Sequence, residues 1–357
     1  MKTIKAIDLL IGSFCAKCAK GFPSKTVIDS ASIKSILIIR PGGIGDAIFL
    51  LPFLHALRDE RPDIMVNILC ESRNAPIFKS QEGVSSQIFQ YDKPFSFLKV
   101  FRSKYDLIID TEQWHYLSAL TAYALKPRYS VGFSTRPLRT KLFNCPAAYD
   151  ENSYELENFR NLFSVLLSNN DAIKTISNSF KIKPDLKLWS KTVVPANSVT
   201  IFLGSSIALR RLSETQILDI VRHYISGGQY VILVGGNDVK DIAERVARDL
   251  SNQNVQNLVG KISLEQTAAV IASSKLFIGP DSGILHLACA VGTPVVGIFG
   301  PGNLSKWKPQ GVQDRIITLH FPCSPCTHFG YTIPRVCSGE HPCMKNIDFK
   351  NALGKLF

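Results

Sequence analysis

Ser35-Ile36-Leu37-Ile38-Ile39-Arg40 runs directly into Pro41-Gly42-Gly43-Ile44-Gly45-Asp46, and this junction decides the architecture. The first six residues are short, apolar and β-branched, and glycines follow at once, as for a buried parallel strand and its turn. A helix should come next over 46–60, with Asp46 at its N-cap and Ile48, Leu51, Leu54, His55 and Leu57 along one stripe. Pro52 removes an internal hydrogen bond and should kink it.

Outward from this unit the alternation continues. Segments 64–70, 87–91 and 105–110 read as strands separated by helix-length polar stretches, followed by a weaker strand at 130–133 and a helix over 154–168. A polar stretch with Pro184 and Pro195, 181–197, reads as a linker. The pattern then restarts with strands at 199–203, 230–234, 257–259, 276–279 and 294–299, and helices at 214–226, 238–250, 264–273 and 284–291. The expected fold is α/β, two doubly wound Rossmann-like domains facing a cleft: an extension at 1–32, one domain at 33–190 and a second at 191–357. Ligands of such folds bind where loops leave the C-terminal strand edges, so the loops after Arg40, Leu203, Val234 and Gly279 carry the candidate site.

Bulk properties fit an enzyme of two domains: 357 residues, 45% of them hydrophobic. No apolar run reaches the roughly 18–20 residues of a spanning helix, because 285–300 is broken by Gly292-Thr293-Pro294. Ile4, Ile7, Leu10, Ile11 and Phe14 lie among lysines. Lys5 and Asp8 interrupt a signal peptide and Phe14 spoils a lipidation signal, so a surface helix packed on the first domain fits best. A net charge of +12 implies an acidic partner: nucleic acid, an anionic membrane surface or a phosphorylated substrate. The basic residues read as dispersed and no nucleic-acid motif stands out, so no nucleic-acid partner is expected. Nine cysteines without a clear secretion signal indicate reduced thiols in the cytoplasm, with Cys70, Cys145 and Cys289 in the core. Cys15-x-x-Cys18 and a C-terminal set, Cys323, Cys326, Cys337 and Cys343, remain.

Each of the four loops carries substrate-binding chemistry beside a plainer reading. Asp46 caps a helix, or belongs to a dinucleotide turn in which Gly43-x-Gly45 is paired with the ribose acid Glu71, or meets a substrate directly. Gly204-Ser205-Ser206 with Arg210-Arg211 suits phosphate oxygens, or is a solvated basic pair. Asp238, after Gly235-Gly236-Asn237, binds a ribose or caps a helix. Gly279-Pro280-Asp281-Ser282-Gly283-Ile284-Leu285-His286 opens a helix whose free N–H groups can receive phosphate, unless Asp281 or Ser282 only caps it and His286 packs inside.

Together these residues resemble glycosyltransferase family 9, the bacterial heptosyltransferases of lipopolysaccharide core synthesis. Gly45-Asp46 with Pro52, Asp106 through Asp110, Lys261 through Glu265, Asp281-Ser282-Gly283 and His286-Leu287 carry the likeness. It implies a GT-B fold and inverting transfer from ADP-heptose, or another nucleotide diphosphate sugar, to a lipopolysaccharide core or related glycan. It further implies Asp46 as catalytic base, Arg210 near the family's phosphate-binding lysine, Asp238 as the donor-ribose acid and Asp281, Ser282 and Gly283 as the donor turn. Where the family reads Lys-Arg-Trp this chain has Arg210-Arg211-Leu212, which changes the geometry offered to a diphosphate.

The donor set is then Gly204, Ser205, Ser206, Arg210, Arg211, Asp238, Lys261, Asp281, Ser282, Gly283 and His286. Gly43, Gly45, Arg73, Trp114 and His115, with Arg136 nearby, are the acceptor candidates for an anionic glycan or glycolipid, reached by peripheral contact with the cytoplasmic face of the inner membrane. No Asp-x-Asp is present, so transfer without a catalytic metal or other cofactor is expected. Cys323-x-x-Cys326, Cys337 and Cys343, with His328 and His341 near, suit a structural zinc or iron or are reduced thiols. Competing readings are another GT-B nucleotide-sugar enzyme such as a 2-epimerase, an NAD-dependent dehydrogenase, or a noncatalytic binding protein.

Overall fold

The computed structural model describes residues 8–23, 27–250, 254–326 and 341–355. The chain divides into two compact units, Met1–Lys174 and Thr175–Phe357. Six parallel strands form the first sheet: β1 Ser35–Arg40, β2 Met65–Cys70, β3 Gln87–Gln90, β4 Leu107–Asp110, β5 Tyr129–Phe133 and β6 Cys145–Ala147, in the order β3-β2-β1-β4-β5-β6. The second contains β7 Ser198–Phe202, β8 Tyr230–Val234, β9 Val255–Asn257, β10 Leu276–Pro280, β11 Val295–Phe299 and β12 Arg315–Thr318, ordered β12-β11-β10-β7-β8-β9.

Counted within each unit, both sheets run 3-2-1-4-5-6, so the chain direction reverses between first and fourth strands, β1 beside β4 and β7 beside β10. The loops leaving those strand ends diverge and open a crevice in each sheet. Apolar, β-branched strands read as buried do lie buried: β1 is covered from Ile36 to Arg40, and β7 and β10 throughout.

Several expectations change. The helix after β1 spans Ile44–Glu60 with Gly43 as N-cap, so Asp46 lies inside the first turn and its carboxylate caps nothing. The segment read as a linker contains the helix Pro184–Val193, and Ser190 hydrogen-bonds Ser273 at 2.8 Å, within the second unit. Pro184 occupies that helix's first turn, where an absent N–H costs nothing. The division between the two compact units falls at Lys174–Thr175, and the described part of residues 1–32 groups with the first unit.

The N-terminal helix Ser13–Cys18 buries Ala16 in the first core but leaves Leu10, Ile11 and Phe14 exposed, the reverse of the expected inward stripe; Ile4 and Ile7 lie outside the described residues. Asp8 fixes this segment by accepting from Leu117 N at 2.6 Å and pairing with His115 Nδ1 at 2.9 Å. Strands β6 and β12 escape a pattern reading because each is short and lies at a sheet edge. Cys70 is buried as expected, whereas Cys145 on β6 and Cys289 are half-buried. Among the described residues no helix is long and apolar enough to cross a membrane.

Candidate functional site

In the first unit the crevice is built around a buried guanidinium. Arg40, the last residue of β1, donates to the carbonyls of Pro41 at 2.6 Å and Thr111 at 2.8 Å and to Glu112 at 3.2 Å. Its Nη1 stands 3.8 Å from Asp46 Oδ1. Burial disfavours its charge, but Asp46, Glu112, Glu155 and Asp110 outweigh that and hold its pKa above the ordinary value. Gly42, at φ 103°, lets the turn fold beneath it, and a side chain there would meet the guanidinium groups of Arg40 and Arg73. Gly43 is equally constrained, because an added Cβ would lie 2.9 Å from Asp46 Oδ2. The glycines thus clear space for a carboxylate at a helix N-terminus, where the dipole favours its charge.

The loop after β4 completes this floor. Glu112 accepts from the N–H groups of Gln113 and Trp114 at 3.1 and 3.0 Å, which sets Trp114. Burial pushes the Glu112 pKa up, but Arg40, His115, Trp114 N–H and Arg139 together hold it below its ordinary value. Asp110 pairs with fully buried Arg139 at 2.7 Å, yet burial still raises its pKa. The Arg136 guanidinium lies between two rings, 4.4 Å from that of Trp114 and 4.6 Å from that of Tyr116. Arg73 is joined to Glu71, which Tyr91 also contacts, while Gly45 is buried in the helix start. His115 is engaged by Asp8, so its ring is held by the N-terminal segment.

The second unit repeats the plan at its own strand reversal. Arg210, in the loop after β7, reaches across the strand reversal to Asp281 after β10, Nη1 to Oδ2 3.0 Å. Burial raises the Asp281 pKa and Arg210 opposes the rise. Gly302 abuts the Asp281 carboxylate so closely that no side chain fits there. Ser282 caps the helix Gly283–Ala290 by accepting from Leu285 N at 3.4 Å, so Gly283 is its first residue. Arg211 pairs with Asp238 at 2.6 Å and donates to Ser205 O at 2.9 Å, tying the second and third loops together. Gly204 and Ser205 are buried and Ser206 exposed beside them. Lys261 donates to Asn257 O at 2.8 Å, on a turn joined to the third loop by Gly260 N to Gly235 O at 3.0 Å.

His286 is buried, its ring 5.7 Å from that of Trp307, in agreement with the inward-packing alternative. Burial, then Arg210, lowers its pKa from the ordinary 6.5 to about 3. Between these values the unfolded chain binds a proton that the folded chain refuses, so stability falls as pH falls, at about 1.4 kcal/mol per pH unit. Thermal melting of His286→Gln from neutral to acid pH should show a shallower decline than the native chain; parallel curves would remove His286 from the acid response.

The C-terminal cysteines converge only in part. Cys326 N donates to Pro301 O at 3.1 Å, and Cys343 Sγ lies 3.1 Å from where a Gly300 Cβ would stand, so both adjoin the turn after β11. Cys323 is half-buried nearby in sequence, while Cys337 and His328 lie outside the described residues. Among the described residues no group of three or more histidine, cysteine or acidic side chains gathers to hold a metal.

The four loops are legible in the sequence, whereas the supports of Asp46 are not: Arg40 reads as a strand end, and no local motif marks Glu112 or Arg139. The one signal is that a charged residue ending a wholly buried strand needs a partner.

Two Rossmann-type units, each with a crevice at its own strand reversal, have the GT-B fold. The model of "Glycosyltransferase family 9 (heptosyltransferase)" matches residues 95–335, and the chain belongs to that family. Lipooligosaccharide heptosyltransferase 2 of Campylobacter jejuni is 22% identical over 87% of this chain and 94% of its own length. The solved E. coli ADP-heptose lps heptosyltransferase II superposes with a TM-score of 0.67 at 17% identity, over 85% of this chain and 94% of that one. The iron-containing dodecameric glycosyltransferase TibC of enterotoxigenic E. coli H10407 superposes at TM-score 0.58 and 15% identity, over 94% of this chain and 77% of that one. Family membership sets aside the dehydrogenase and noncatalytic readings.

Proposed function

We propose that the chain transfers heptose from ADP-heptose, with inversion, to a hydroxyl of a lipopolysaccharide core or related anionic glycan, without a catalytic metal. The observation that carries the reading is the pairing of Arg210 with Asp281 across the second switch point, beside the start of the helix Gly283–Ala290. Fixed guanidinium N–H groups and unpaired helical N–H groups at one strand reversal suit a diphosphate whose charge grows as the anomeric bond breaks.

Asp46 is the base. A hydroxyl is a poor nucleophile until a carboxylate takes its proton, and Asp46 is partly exposed, hydrogen-bonds no N–H of its own helix and stands over a glycine turn that gives access. Gly43 and Gly45 supply that access; Arg73, Trp114, Arg136 and His115 bind the acceptor, and the stacked Arg136 suits its anionic groups. In the second unit Arg210 and Arg211 hold the diphosphate with Gly204, Ser205, Ser206, Ser282 and Gly283. Asp238 and Lys261 meet the ribose end, while Asp281 orients Arg210 and His286 supports the helix. Any metal at Cys323, Cys326, Cys337 and Cys343 is structural.

Calorimetric titration with ADP-, UDP- and GDP-sugars, followed by turnover assays in EDTA, tests this reading. Only ADP-heptose should bind in the micromolar range, and chelation should leave turnover unchanged. Preferred binding of UDP- or GDP-sugars would overturn the donor, and turnover lost to EDTA and restored by magnesium or manganese would overturn metal independence.

A further inference from the structure

Beyond the transfer itself, we propose that residues 93–104 of the first unit form a docking surface for an anionic lipid bilayer. The helix Pro94–Lys99 and the 3-10 turn Val100–Arg102 follow the edge strand β3. Their inner side is fastened: Val100 is fully buried, Phe97 packs on the same core, and Ser96 Oγ accepts from Gln90 N at 2.9 Å. Their outer side presents Phe95, Leu98 and Phe101, which are 86%, 60% and 45% exposed, at a spacing of three residues. Large apolar side chains this exposed on a fastened element mark an interaction surface rather than incomplete folding.

Charge decides the occupant. Lys93, Lys99, Arg102 and Lys104 are all exposed around this stripe, and no ion pair among the described residues involves them. The adjacent acid, Asp92, is engaged by Ser72 N at 3.0 and 3.2 Å. An apolar stripe that enters the acyl boundary, rimmed by lysine and arginine at headgroup level, is the chemistry of a surface-lying segment on anionic lipid. A second copy of this chain would have to bury four uncompensated cations against a chain of charge +12. Reading the basic residues as dispersed overlooks this run, because only the fold shows that 95, 98 and 101 share the open side.

Binding to vesicles requires no turnover, so this surface is tested apart from the sugar transfer. The full chain is sedimented with phosphatidylcholine vesicles, with or without phosphatidylglycerol. The expected result is binding to the phosphatidylglycerol vesicles alone, weakened by salt. Phe95→Ser/Leu98→Ser, which spares Phe101 and its edge contact with Phe97, should lower the bound fraction by about tenfold or more, with melting temperature and donor affinity unchanged. Lys93→Glu/Lys99→Glu/Arg102→Glu, which leaves the packed side untouched, should abolish the response to phosphatidylglycerol. Native protein that stays in solution with both vesicles, variants that bind like the native chain, a serine variant that only dissolves an oligomer, or retention by single-stranded RNA instead would each overturn the proposal.

Discussion

Asp46→Asn should lower turnover by about 100-fold or more while donor affinity changes little, the signature of losing a general base rather than a binding contact. The substitution keeps the size of the side chain and its place in the first helical turn, over Gly43. Arg40 retains Pro41, Thr111 and Glu112 as hydrogen-bond partners, so the floor of the crevice should persist and the fold should melt near the native temperature. A variant with unchanged turnover would remove Asp46 from the chemistry. One that loses turnover and melts far lower would make the carboxylate a structural partner of Arg40.

Arg210→Met should act differently and about as strongly. The guanidinium opposes Asp281, which is 3% exposed, so its removal strands a buried carboxylate, and breaking such a pair costs up to about 3–5 kcal/mol. Burial already raises the Asp281 pKa and Arg210 alone opposes it, so the carboxyl should take up a proton and recover part of that cost. Donor affinity should fall, and turnover should fall by about 100- to 1000-fold, as for loss of one preorganised donor to a developing anion. Adding Asp281→Asn should restore melting without restoring donor binding. If Arg210→Met alone binds donor normally, the arginine serves only to neutralise Asp281.

The sequence and the fold agree where periodicity has one physical solution. An apolar β-branched run ended by glycine, as at Ile36–Gly42, leaves little besides a central parallel strand and its turn, and β1, β7, β8, β10 and β11 all follow that rule. Edge strands escape it because one side lacks a partner; β6 carries Pro146, and β12 is only partly covered. Proline misled at residue 184, where the pattern suggested a linker and the chain instead starts a helix.

In the candidate site, loop chemistry was legible because the residues lie close in sequence, as with Asp281 to His286. What supports Asp46 was not, since Arg40, Thr111 and Glu112 meet only through the pairing of β1 with β4. Arg210 and Asp281 are likewise joined by the pairing of β7 with β10. Helix ends differ again. The helix Ile44–Glu60 starts two residues earlier than its apolar stripe suggests, so Gly43 is the N-cap and Asp46 the third residue of the first turn.

Donor affinity and single-turnover rate, measured side by side on Asp46→Asn and Arg210→Met, test the central claim most directly: the first unit activates the acceptor and the second holds the departing diphosphate. Asp46→Asn should keep donor affinity and lose the rate, and Arg210→Met should lose both. Loss of donor affinity in Asp46→Asn, with Arg210→Met binding and turning over normally, would contradict the account.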